Sequence, residues 1–288
     1  MLKIIVGTAG ARIINAIMSF AIIIINARML GAEGVGTIQL LVLGITIILL
    51  ISNFAGGGAL IYLVPRNDLF KLFIPSYIWA VLSSVAGAFI LAFFELIPVE
   101  FTVHVLFLSL LQGFTSVHYN ILLGKEKIRQ YNTISVLQVL LLMVSLAWLF
   151  FLLKRPDVFS FIFALYFSYL ITFLLSLFSI LKFIKFRQFQ GFRQVIVQMF
   201  RYGAFVQVAN LLQLLNYRLG YYIIERFLGK SSLGVFSTGT QISEGLWLVG
   251  KSVATVQYAK ISNNDDAYFA RKITLQFVKI VFVITMLM

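Results

Sequence analysis

Nine stretches of mainly apolar residues, each close to twenty long and separated by short polar turns, set the limits on what this chain folds into. An α-helix rises 1.5 Å per residue, so about 20 apolar residues cross the roughly 30 Å of a bilayer's hydrocarbon. The runs lie near residues 6–27, 36–60, 72–94, 101–123, 134–153, 159–181, 203–224, 234–258 and from 273 onward. The last of these is unbroken at Met288. With 61% hydrophobic and only 11% charged residues, the chain lies outside the range of water-soluble domains. The 29 Phe sit inside continuous runs instead of alternating with polar residues, which argues against a β-barrel. The fold class expected is an all-α polytopic membrane protein. Zero Cys removes disulfides and thiolate metal sites. A net charge of +13 brings nucleic acid to mind, but the basic residues are spread over the turns between spans, where a membrane surface explains them better.

The first turn comes back once. Arg28, Leu30, Gly31 and Gly36 each find an identical residue 198 positions later, as Arg226, Leu228, Gly229 and Gly234. Apolar runs flank both copies, and glycine reaches backbone angles closed to other residues, so each copy reads as a helix-turn-helix hinge. The chain is then a duplication: a first six-helix bundle over residues 1–181, an interfacial linker at 182–202, and the start of a second bundle over 203–288. In the linker, Lys182, Lys185, Arg187, Arg193 and Arg201 alternate with Phe183, Phe186, Phe189, Phe192 and Phe200. Such a mix suits anionic head groups above and acyl chains below. A full second copy would bring the total to roughly 400 residues, so the chain is expected to be the amino-terminal part of a longer protein.

Lys and Arg are distributed unevenly. Fifteen fall in the amino terminus and the turns on its side, and five fall on the side of the two hinges. Positively charged loops stay in the cytoplasm, which places the amino terminus inside and both hinges outside.

The segment Asn26-Ala27-Arg28-Met29-Leu30-Gly31-Ala32-Glu33-Gly34-Val35-Gly36 resembles the signature of the polysaccharide transporter (O-antigen flippase) family. That family belongs to the multidrug/oligosaccharidyl-lipid/polysaccharide flippase superfamily. Asn216 through Tyr222, and Leu228-Gly229 through Gly234-Val235-Phe236-Ser237, resemble its seventh and eighth helices. The resemblance implies 12 to 14 helices in two bundles, a bacterial cytoplasmic membrane, and movement of a polyprenyl-diphosphate-linked oligosaccharide by alternating access. One position departs from the pattern. Gly220 stands where many relatives carry Asp, which puts any coupling role of that carboxylate in question here.

Charges are costly in hydrocarbon and normally face a cavity or a partner, so polar residues inside spans are the candidate site. Thr8, Arg12, Asn15, Ser19 and Asn26 fall within about 60° on the first helix. Gln207, Asn210, Arg218, Tyr221 and Glu225 share a face about 80° wide on the seventh. On the eighth, Ser237, Gln241, Glu244, Lys251 and Thr255 form another. The substrate-binding candidates are Arg12, Asn15, Asn210, Arg218, Tyr221 and Lys251, with cations placed to attract a diphosphate and rings to stack on sugars. Glu244, the lone carboxylate of the eighth span, is the candidate for a coupling proton or cation. Bland readings stand beside these: Arg12 and Lys251 are close enough to helix ends to snorkel, and Arg218 with Glu244 makes sense as a structural ion pair. His104 and His118 read as interface packing. All four Asp lie in loops, and no D-x-D, H-E-x-x-H or Walker pattern is present, so neither an enzyme nor a cofactor is expected. A cation-coupled small-molecule exporter of the same superfamily is the alternative, with a membrane glycosyl- or acyl-transferring enzyme behind it.

Overall fold

The computed structural model describes residues 2–184, 192–245 and 266–287, and within them the chain is helical with no strand. A bilayer offers the backbone no water, so each segment must satisfy its own N–H and C=O groups, which a helix does. The order is α1 (Leu2–Ser52), α2 (Gly57–Leu63), α3 (Leu69–Phe93), α4 (Thr102–Gly124), α5 (Ile128–Ala147), α6 (Val158–Leu181), α7 (Phe192–Gly245) and α8 (Ala267–Leu287). Six helices among the described residues are long and apolar enough to cross a membrane.

Two of those six, α1 and α7, are hairpins. Gly31 has φ 66° and ψ −177°, and Gly229 has φ 80° and ψ 173°, a region open only to glycine. Ile22 shares one core with Ile38, Leu41 and Ile45, although sixteen residues of straight helix would separate Ile22 from Ile38 by about 24 Å. Each hinge therefore folds its helix back on itself.

The bundle buries small residues where its helices approach and exposes many large apolar side chains, besides packing others in its cores. On α3 the buried face is Ser76, Ala80, Ser83, Ser84, Gly87 and Ala88, while Ile78, Leu82, Phe89 and Phe93 point outward. On α6 Ser160, Ala164, Ser168, Thr172 and Ser176 are buried, and Phe163, Phe167 and Phe178 are exposed. Small residues let helices approach closely, and lipid accepts the large apolar side chains. One core lies toward the hinges, around Leu41, Ile48, Leu108, Leu146 and Phe150. Another lies at the opposite end, around Leu60, Leu72, Ile121, Ile180 and Met199.

Two boundaries differ from the expectation. The second span was expected to run from about 36 to 60, with Gly56, Gly57 and Gly58 as a packing or kink site, and the break falls there: α1 ends at Ser52, a single 3₁₀ turn covers Asn53–Ala55, and α2 restarts at Gly57 with φ +53°. The break is satisfied from α3: Ser76 Oγ donates to the Ala55 carbonyl at 2.7 Å, and Trp79 Nε1 donates to the Ile51 carbonyl at 2.8 Å. Side-chain donors of this kind are what allow irregular backbone within a membrane protein. The second difference is in the linker, whose residues 192–202 form the first turns of α7. Residues 185–191 lie outside the described residues.

Candidate functional site

The two hairpins meet at the hinge end, share a small core of Leu40, Leu43, Tyr221 and Leu233, and at the far end the first arm of α7 meets the break that follows α1. At the hinge end, a Cβ on Gly36 would come within 2.8 Å of the Lys230 carbonyl carbon, and one on Gly234 within 2.8 Å of the Ala32 carbonyl carbon. This corrects the expected use of these two glycines. Gly31 and Gly229 make the turns, whereas Gly36 and Gly234 are helical and serve close approach of backbone to backbone. The contact is reciprocal, as a two-fold repeat requires. Arg28 and Arg226, the hinge cations, are both exposed beside the turns. At the other end Gly203 sits against Phe54, with a Cβ position 3.0 Å from its carbonyl carbon, and Gly57 sits against the Gln207 side chain.

Between these contacts lies a cavity of about 390 Å³. Its polar lining comprises Ser19 and Asn26 from the first arm of α1, Gln39 and Thr46 from the second, Tyr169 from α6, and Arg218, Tyr221 and Gln241 from α7. Arg218 Nη2 is 2.6 Å from Glu244 Oε2, and its Nη1 donates to Tyr221 Oη, also at 2.6 Å. Tyr221 Oη is 2.7 Å from Thr240 Oγ1, and its ring meets Phe236 edge-on at 5.9 Å. Residues 218 and 244 are 26 positions apart, which would be about 39 Å on a straight helix, so the Gly229 hairpin creates this pair. With its partner in place the guanidinium is neutralised within a low-dielectric wall, and Tyr221, 1% exposed, holds it in one orientation. Two further polar atoms in lining residues are buried without a hydrogen-bond partner among the described residues: Asn26 Oδ1 and Gln241 Nε2.

The sequence candidates separate into groups. Arg218, Tyr221 and Glu244 come together as one network. Asn15 belongs elsewhere, since its Nδ2 donates to Ser135 Oγ on α5 at 3.2 Å. Thr8, from the same stripe, accepts from Asn132 Nδ2 at 2.9 Å. Arg12 and Asn210 do not line the cavity, and Asn210 donates to Gln207 Oε1 at 3.2 Å. Lys251 lies outside the described residues. Gln39 and Tyr169 were missed. A lone Gln in the second apolar run was the signal for one, whereas Tyr169 sits in an aromatic-rich helix with nothing to single it out.

His118 and His104 pack between helices as expected. His118 is fully buried, its Nδ1 lies 2.7 Å from Ser176 Oγ, and its Nε2 bonds Tyr77 Oη. His104 Nδ1 is 3.3 Å from Tyr166 Oη.

A family model described as "polysaccharide biosynthesis protein" matches residues 2–257, which takes in both hinges and every lining residue of the cavity. The chain belongs to that family. No curated protein and no solved structure matches it. In this family member the repeat-related hairpins, 198 residues apart, supply opposite walls of one cavity.

Proposed function

We infer that this chain works as a flippase. It moves a polyprenyl-diphosphate-linked oligosaccharide across a bacterial cytoplasmic membrane by alternating access, for assembly of a surface polysaccharide such as O-antigen, with its amino terminus in the cytoplasm. The observation that carries this reading is the cavity between two repeat-related hairpins, whose walls meet at glycines on either side of it. Inverted or duplicated bundles that enclose a polar space at their interface are a transporter device. Contacts built on glycine are compact enough for one end to open while the other stays shut.

The lining suits carbohydrate. Asn26, Gln39 and Gln241 offer amide donors and acceptors, and Tyr169 and Tyr221 offer rings. The Arg218–Glu244 pair supplies the coupling. A coupling proton or cation taken up by Glu244 releases the guanidinium, which then binds a phosphate oxygen of the carrier, and loss of that ion reforms the pair and expels the anion. No chemistry on the substrate is required, so the protein is not an enzyme under this reading.

The test is to delete the full-length gene and measure lipid-linked glycan on the cytoplasmic leaflet. Accumulation there, reversed by the wild-type gene and not by one carrying Glu244→Gln with Arg218→Ala, supports the reading. An unchanged glycan distribution together with loss of cation-coupled efflux of small molecules would replace it with the exporter reading, which the paired intramembrane carboxylate also suits.

A further inference from the structure

A second polar site lies far from the hinges, where the 65–68 turn between α2 and α3 meets the start of α7. An open pocket of about 480 Å³ is lined there by Arg66, Asn67, Asp68, Lys71 and Gln194, among others. Its position at the ends of three membrane-crossing segments puts it at the level of lipid head groups.

The pocket's main cation is held in place before any ligand arrives. Arg66 Nη1 donates to the Tyr62 carbonyl at 2.8 Å, and the guanidinium carbon stands 3.9 Å over the Tyr62 ring. The Tyr62 ring is itself 5.0 Å from that of Tyr202 on α7. Five N–H donors in a planar fork exceed what one carbonyl takes, so the remaining edge is left for an oxyanion. A side chain already fixed by a ring and a carbonyl loses less entropy when it binds. Lys71 stands nearby, 4.0 Å from Asp68 Oδ2, so part of its charge is taken and Arg66 is the primary contact. Neither α3 nor α7 has an acidic residue in its first turn, and Asp68 makes no side-chain cap bond. Asp68, the N-cap residue of α3, lies in the same pocket and offsets the positive end of that helix, so the pocket's positive charge is that of Arg66 and Lys71. Tyr62 and Tyr202 are of the type that settles at the membrane–water boundary.

We propose that this pocket binds the phosphodiester of an anionic phospholipid, with Arg66 forking onto its phosphate oxygens and Lys71, Asn67 and Gln194 around the rest of the head group. The site ties the α2–α3 turn to the start of α7 and does not depend on the transport reading. To test it, the full chain purified in detergent is titrated with a fluorescent phosphatidylglycerol and, separately, a fluorescent phosphatidylcholine. Phosphatidylglycerol binds about fivefold or more tighter, and Arg66→Gln removes that preference. Lys125→Gln with Lys127→Gln, at the same end of the bundle, leaves it intact. Should Arg66→Gln fail to fold, Arg66→Lys, which keeps the charge and loses the fork, lowers the preference without abolishing it. Equal losses in the pocket and control variants would overturn the proposal in favour of diffuse surface charge. Competition by inorganic phosphate at equal concentration would assign the site to a soluble anion, and absence of any lipid preference would remove it.

Discussion

Gly36 lies directly against the backbone carbonyl of Lys230, and Gly234 stands in the same relation to Ala32. A backbone oxygen cannot swing away as a side chain does. Gly36→Ala or Gly234→Ala is therefore expected to push the hairpins apart and cost about 1–3 kcal/mol, read as a lower melting temperature in detergent. Gly7→Ala or Gly10→Ala, where nothing lies within 4 Å, is the control and leaves the temperature unchanged or raised. Equal melting of all four variants would show that the reciprocal contact does not hold the halves together.

Arg218 and Glu244 call for a double-mutant cycle. Arg218→Ala leaves a carboxylate without its cation, and Glu244→Gln leaves a cation without its carboxylate. Coupling of about 2 kcal/mol is expected in the stability of the purified chain, less than for a sealed pair because both side chains keep some exposure. A coupling role makes a further demand: Glu244→Gln in the full-length protein reaches the membrane at normal level and fails to transport. Normal transport by that variant removes Glu244 from the mechanism.

The hydrogen bonds of His118 define its tautomer. Ser176 Oγ donates to the Phe173 carbonyl at 2.9 Å, so it accepts from His118 Nδ1–H, and Nε2 accepts from the Tyr77 hydroxyl. Replacing His118 by Phe strands the Tyr77 hydroxyl and removes the bond to Ser176, which keeps its own bond to the Phe173 carbonyl, and about 1–3 kcal/mol of stability is expected to be lost. Tyr77→Phe removes one bond and costs less, about 1 kcal/mol. Transport per folded molecule stays unchanged in both, since His118 lies outside the cavity. A selective loss of transport would give His118 a functional part.

Topology is testable without any assay of activity. Reporter fusions after Lys127 should score cytoplasmic, and those after Glu33 and Lys230 should score on the opposite side. Reversal at both hinges would invert the orientation and with it the direction of transport proposed.

Much of this architecture was legible in the residues because it follows from local properties. Length and apolarity of each run determine where a helix crosses, whatever its neighbours are. Gly31 and Gly229 could be read as turns because a positive φ is a property of one residue and its own backbone. What tertiary structure decided were the relations between helices. The polar stripe on the first helix looked uniform, yet Thr8 and Asn15 bond to Asn132 and Ser135 of α5 while Asn26 reaches the cavity, because farther along α5 presents the apolar Val139 and Leu142. Nothing local distinguishes Gly36, a contact surface, from Gly31, a hinge: the difference lies in which backbone comes opposite. The break at Asn53–Gly57 likewise depends on Ser76 and Trp79, whose donors arrive from α3 to satisfy the carbonyls that the interrupted helix leaves open. Partner identity across a helix interface is a matter of three-dimensional register, and a single chain's periodicity does not contain it.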